Sequence, residues 1–425
     1  TEAVKAQSSV DAEWSRLKKI FASPQLQMVS FTITEKGYAL RDAKGEYFPF
    51  IRSDIDNGPD KASSAMAVVS ALLYERFNTC KAPLAVVSMD NCSHNGEKLR
   101  NSITDMVGEW QKKGFVSEDF VQYVNDENTI SFPWSMIDKI TPRPADTVAE
   151  SLKEAGVEDM DPVITSKRTY IAPFVNAEGP QYLVIEDRFP NGRPQLEKAG
   201  VYMTDRDTVN KVERMKVTTC LNPLHTALAV YGCVLGYDLI ADEMKDKELS
   251  ELVKRIGLVE GMPVVTNPGI IAPEKFADEV INVRIPNPFM PDTPQRIATD
   301  TSQKVGIRYG ETIKSYVAKD GSARALTAIP LAIAGWCRYL LGIDDNGEAF
   351  ELSPDPMADE LKCQLDGIVW GESSSYTGQL KNLLSNANIF GINLYEAGIG
   401  DKIEEMFVEE ISGKGAVRET LKKYL

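Results

Sequence analysis

The sequence predicts an α/β domain built on a parallel sheet, followed by a mostly α-helical domain. Three observations carry this prediction. Apolar helices alternate with short β-branched runs in the first half, helical periodicity takes over from about Asp207, and 425 residues exceed what one hydrophobic core usually serves. The expected division is therefore 1–206 and 207–425.

Val10, Trp14, Leu17, Ile20 and Phe21 recur at helical spacing, and the run LQMVSFTIT after Pro24 suits a buried strand ending near Thr34. A helix from about Ala62 to Cys80 carries Met66, Val69, Leu73 and Phe77 on one face, and Pro83 opens a second strand, LAVVSM. That is a βαβ unit. Leu99, Ile103, Met106 and Trp110 mark the next helix, which stops near Gly114. KRTYIAPFV and QYLVIEDRF are expected to extend the sheet, with PNGRP as the closing turn. After Asp207, helical periodicity dominates near 223–257, 303–318, 325–342, 357–366, 376–387 and 402–424. Open sheets of this kind place ligands beyond the carboxyl ends of their strands, where TITEKGY and MDNCSHNG lie.

Composition narrows the partners. Acidic residues outnumber basic ones 62 to 47, and a net charge of -15 repels a phosphate backbone, which argues against nucleic acid. The six cysteines form no CxxC pair and no dense framework, so they read as reduced thiols in a cytoplasm. The most apolar stretches, Thr226 to Ala241 and Ala325 to Ile343, are too short for a membrane span or are interrupted by Arg338. The start, TEAVKAQSSVDAEW, has neither the basic residues nor the apolar run of a secretory signal.

Only two histidines occur, His94 in DNCSHNGE and His225 in KVTTCLNPLH. One reading makes both structural, one at a turn and one at a helix start. A second gives His225 a chemical role, because Asn222 suits a helix N-cap and Pro223 the first helical position, which puts His225 in the first turn of a very apolar helix. Lys216, six residues before Asn222, can approach the same point, although a solvated lysine is the ordinary alternative. Asp90, His94, Asp138 and His225 are metal-ligand types, but no HxxxH or HExxH pair supports a metal. Neither GxSxG, GxxxxGK[ST] nor GxGxxG is present.

TITEKGY, MDNCSHNGE, SFPWSMIDKITP, EDRFPNGRP and MKVTTCLNPLH, in this order, resemble the polyol-specific long-chain dehydrogenases, the family of mannitol 2-dehydrogenase and fructuronate reductase. The resemblance runs from about residue 10 to the C-terminus. It implies a Rossmann-type domain followed by a mostly α-helical one, NAD or NADP as cofactor, no catalytic metal, and a sugar acid or polyol as substrate.

Carried over by position, the resemblance makes Lys216 the general base in oxidation and the general acid in reduction. Asn91 and Asn222 become hydrogen-bond donors to the reacting oxygen, and His225 helps hold that oxygen. Asp138 and Arg296 match substrate-contacting positions, His94 and Arg143 are further candidates for substrate contact, and Thr32, Thr34 and Asn91 are expected beside the cofactor. Such a base needs a pKa near working pH, which burial of Lys216 would favour.

Two departures stand out. The family's lysine lies five residues before its asparagine, against six here, so alignment depends on a break in the helix near Pro223. The family's glycine-rich βαβ, which binds the cofactor diphosphate, has no counterpart in the sequence, so that half of the Rossmann domain is expected to be missing. Arg143, Arg296, Lys304 and Arg308 offer cations for a substrate carboxylate, which favours fructuronate and D-mannonate. Mannitol-type polyol oxidation is the alternative within the family, and a non-catalytic sugar-binding descendant is the alternative outside it. The oligomeric state is not legible.

Overall fold

The computed structural model describes residues 11–42, 44–141, 144–165, 168 and 170–425. Along the chain the first elements are α1 (Asp11–Phe21), β1 (Met28–Phe31), α2 (Pro49–Asn57), α3 (Ala65–Thr79), β2 (Leu84–Ser88), α4 (Asn95–Lys112), α5 (Glu118–Asn125), β3 (Ile130–Ser131) and β4 (Ser135–Asp138). There follow α6 (Asp146–Glu154), β5 (Val163–Ile164), β6 (Tyr170–Ile171), β7 (Tyr182–Glu186), β8 (Tyr202–Thr204), α7 (Arg206–Met215) and α8 (Asn222–Leu235). The chain forms two compact units: residues 1–138 with 181–213, and residues 139–180 with 214–425.

In the first unit β1, β2 and β3 form a parallel sheet in that order, with Met28 opposite Ala85 and Leu84 opposite Ile130. Every residue of β2 is buried, as a central parallel strand covered on both faces requires. Helices α3 and α4 supply much of the cover: Met66, Leu73, Leu99, Ile103, Met106 and Trp110 share one core with Leu84 and Val86. The wholly buried Arg76 guanidinium donates to five backbone carbonyls, those of Phe21, Ser23, Leu26, Ala82 and Pro83. It thereby joins the approaches to β1 and β2 and satisfies its own charge with carbonyl dipoles.

Three strand expectations are corrected. The first strand ends at Phe31 rather than near Thr34, because Ile33 and Thr34 turn their N–H groups onto the Asp90 carboxylate (2.8–3.1 Å) instead of a neighbouring strand. QYLVIE is a strand, but β7 lies between β4 and β8 in a second sheet, antiparallel to the former and parallel to the latter. Among the described residues of KRTYIAPFV, Tyr170 and Ile171 are the strand residues, and they pair antiparallel with β5 in a separate two-stranded sheet of the other unit.

The second unit is helical around α8. Eleven of its fourteen residues are buried, so this helix is apolar all round, as a central helix must be. The Ala328–Tyr339 helix packs along it, with Gly335 against the Tyr231 ring, where an added Cβ would come within 2.4 Å. The segment 139–180 is anchored by a buried ion pair: Arg284 donates to Glu178 through Nε (3.0 Å) and Nη2 (2.8 Å). No helix among the described residues is long and apolar enough to cross a membrane.

Candidate active site

Residues Lys216–Cys220 form a single π-helical turn immediately after α7, closed by the Leu221 N–H on the Lys216 carbonyl at 3.1 Å. A π turn holds one residue more than an α turn and is frequent at functional sites. It offers a physical reason for the six-residue gap: the additional residue is taken up in the wider turn. The helix breaks at Leu221, with φ -135° and ψ -63°, and α8 begins at Asn222. Leu221, not Asn222, is therefore the N-cap, and Pro223 stands second in the helix, still within the turn where a missing N–H costs nothing.

Lys216 is 2% exposed, which overturns the reading of a solvated surface lysine. The Asn222 backbone carbonyl accepts from Thr226 Oγ1 (2.9 Å), while its side-chain amide has no protein partner among the described residues. His225 is half-buried and lines a cavity of about 440 Å³ with Arg284, Asp292, Arg296, Ile140, Thr141 and Met290 among its walls. Arg296 faces the same cavity, clamped to Asp292 of its own turn and itself largely exposed. The second unit thus gathers Lys216, Asn222 and His225 on successive turns, with Arg296 sharing the His225 cavity.

The remaining expected residues belong to the first unit, apart from Arg143, which lies outside the described residues. Asp90, after β2, is the organiser there. Its carboxylate accepts from Ile33 N, Thr34 N and the Tyr38 hydroxyl, binding the loop after β1 to the loop after β2. Thr32, Thr34 and Asn91 are consequently held, exposed, at the carboxyl ends of adjacent parallel strands. Thr34 adopts φ +64°, an uncommon conformation for a β-branched residue, which the bond to Asp90 sustains. Polar groups in this setting fit the place beyond the strands' carboxyl ends where open parallel sheets bind their ligands. His94, also left-handed at φ +52°, stacks on Trp134 at 4.4 Å between centroids, with Nδ1 3.5 Å from Glu97. Asp138 ends β4 opposite Tyr182 and is 4% exposed. Among the described residues no group of three or more His, Cys, Asp or Glu side chains is placed to hold a metal ion.

Two participants escape the sequence reading. Arg284 lines the cavity from its buried pair with Glu178, whose Oε1 also accepts from Ile140 N at 2.6 Å. A signal for it exists in the sequence: Val280, Ile281, Arg284 and Ile285 share a helical face, so one arginine stands in an apolar stripe. Thr226, in the first turn of α8, accepts from Arg308 Nη1 at 2.5 Å, a contact that sequence spacing does not reveal.

Residues 2–198 match the mannitol dehydrogenase Rossmann domain and residues 208–410 the mannitol dehydrogenase C-terminal domain. The chain belongs to the mannitol dehydrogenase family. It is an oxidoreductase of that family, with the Rossmann-like and helical parts the sequence implied. D-mannonate oxidoreductase of Thermotoga maritima is 55% identical over 425 residues, covering 99% of this chain and 78% of its own. Mannitol 2-dehydrogenase of Pseudomonas fluorescens, solved with NAD and D-mannitol, superposes with a TM-score of 0.67 at 25% identity, over 98% of this chain and 77% of that one. A D-sorbitol dehydrogenase solved in substrate-free form gives 0.72 at 27% identity, over 93% and 77%.

Proposed function

We propose that this family member interconverts D-mannonate and its keto acid, fructuronate, with NAD in preference to NADP, in a cytoplasmic compartment. The substrate is supported by the 55% identity to a D-mannonate oxidoreductase, and the cofactor by the NAD in the Pseudomonas fluorescens relative. The six unpaired thiols accord with a reducing compartment.

The observation that carries the reading is local. A lysine, 2% exposed, sits one π turn before a helix start whose asparagine side chain is uncommitted among the described residues and whose histidine opens on a cavity. When bound, the nicotinamide cofactor supplies the hydride acceptor for oxidation. Lys216 takes the hydroxyl proton as the carbinol C–H bond is broken, and returns it in reduction. Asn222 and Asn91 donate N–H groups to the oxygen as it becomes alkoxide-like, neutral donors that stabilise developing charge without adding any. His225 fixes that oxygen, while Arg296 and Asp138 hold the carbon chain.

The test is the absorbance of reduced nicotinamide on mixing the protein with NAD or NADP and D-mannonate, D-mannitol or D-sorbitol. Turnover is expected with D-mannonate and NAD. Silence on D-mannonate, with cofactor binding shown separately, overturns the reading.

A further inference from the structure

A second π turn, Gly306–Gly310, packs against both the Lys216 turn and α8. Its glycines have a steric cause: an added Cβ would lie 2.5 Å from the Ile389 carbonyl at Gly306 and 1.8 Å from the Phe390 carbonyl at Gly310. One face of the turn is thus pressed on the 389–390 backbone. From the same turn, the Tyr309 hydroxyl donates to the Pro223 carbonyl at 2.9 Å and Arg308 Nη1 to Thr226 Oγ1 at 2.5 Å. Just beyond it, Thr312 Oγ1 donates to the Thr218 carbonyl at 3.2 Å. Three bonds therefore fasten this segment to the two turns that carry Lys216 and Asn222.

The charges are then unequal. Arg284 is neutralised by Glu178 and Arg296 by Asp292. Among the described residues no carboxylate stands within ion-pair distance of Arg308, whose other N–H groups find no protein acceptor, or of Lys304, whose Nζ donates to the Thr299 carbonyl at 2.5 Å and which Asp300 and Asp355 attract from farther off. Burial lowers the Arg308 guanidinium to about 10, and burial, Arg308 and Arg296 push the Lys304 ammonium down against the opposing pull of Asp300 and Asp355. A largely buried cation without a counter-charge is costly unless a ligand anion completes it.

We propose that Arg308, with Lys304 beside it, seats the carboxylate of the sugar-acid substrate and selects it over neutral polyols. The inference rests on the sugar-acid reading above and deepens it. The planar guanidinium suits bidentate capture of a carboxylate, and its bond to Thr226 fixes its orientation relative to Asn222, four residues earlier on the same helix face.

The experiment compares steady-state oxidation of D-mannonate and D-mannitol by the wild type, Arg308→Gln, Arg308→Lys and Lys304→Met, with calorimetric binding of D-mannonate. Arg308→Gln should lower the D-mannonate to D-mannitol ratio of kcat/KM about ten- to hundredfold, chiefly through the KM for D-mannonate, as loss of a charged hydrogen bond implies. Arg308→Lys should recover part of the ratio. If Arg308→Gln melts, the Lys and Lys304→Met variants decide: both should lower the ratio, Lys304→Met through KM. An unchanged ratio, or equal loss on both substrates, overturns the inference and leaves the sugar-acid reading standing. A wild type that neither binds nor oxidises D-mannonate overturns both, and shows it before any variant is made.

Discussion

The proposed role of Lys216 as general base draws on two observations: the side chain is removed from water, and one π turn separates it from Asn222 at the start of α8. A general base contributes about 10²- to 10⁴-fold. Lys216→Met should therefore lower kcat by at least about 10²-fold while leaving cofactor binding in place, since the variant keeps the length of the buried stem. On the same proposed reading Asn222→Ala removes one donor to the developing oxyanion, and a loss of about 10²- to 10³-fold in kcat is expected. Single-turnover kinetics with a cofactor titration checks both. A lysine variant with kcat within a few-fold of wild type would remove residue 216 from the chemistry.

The element that matters most is the π turn, and it is the least legible in the sequence. Lys216 to Asn222 reads as six residues of ordinary helix-compatible sequence, and nothing in KVTTCL distinguishes a turn closed five residues on from one closed four residues on. The break that the assignment requires is legible through Pro223, and the structure sets it two residues earlier, at Leu221. By contrast β1, α3, β2 and α4 are readable because each depends on local periodicity: Met66 and Leu73 or Ile103 and Trp110 fall on one helix face wherever the chain runs. The sheet to which QYLVIE belongs is not, because pairing is decided by residues far away in sequence, here Ser135–Asp138 and Tyr202–Thr204. Arg284 is harder to single out for a related reason: a lone arginine is usually a surface group, and although its place in an apolar stripe hints otherwise, its pairing with Glu178 is a contact distant in sequence. Deleting Val217, half-buried within the turn, should convert it to an α turn and rotate Lys216 by about 100° relative to Asn222. The deletion should melt cooperatively, retain helical circular dichroism and lose oxidation of D-mannonate. Retained activity would mean that the sixth residue has no bearing on alignment.

Across the whole molecule, continuity in sequence and compactness part ways. Residues 139–180 leave the first unit to join the helical one, where Glu178 meets Arg284, and the chain then returns at 181. Within the helical unit, stability also depends on a buried acid shared by three helices. Glu410, on the Gly400–Glu410 helix, is fully buried; its Oε1 accepts from the Tyr231 hydroxyl of α8 at 2.6 Å, and its backbone carbonyl from Arg338 of the Ala328–Tyr339 helix at 3.2 Å. Burial raises this carboxyl to about 8, against the opposing pull of the Tyr231 hydroxyl and the Arg338 charge. An unfolded glutamate titrates near about 4.3. Between those values the folded chain holds a proton that the unfolded chain has released, so stability is greatest below the unfolded value and falls as pH rises through the folded one. Glu410→Gln imitates the protonated form at every pH. The wild-type Tm should therefore decline from about pH 5 to about pH 9 more steeply than that of the variant, and at the alkaline end the variant should melt higher. Calorimetric scans of both proteins across that range measure the difference; parallel curves would show that Glu410 is ionised in the native helical unit.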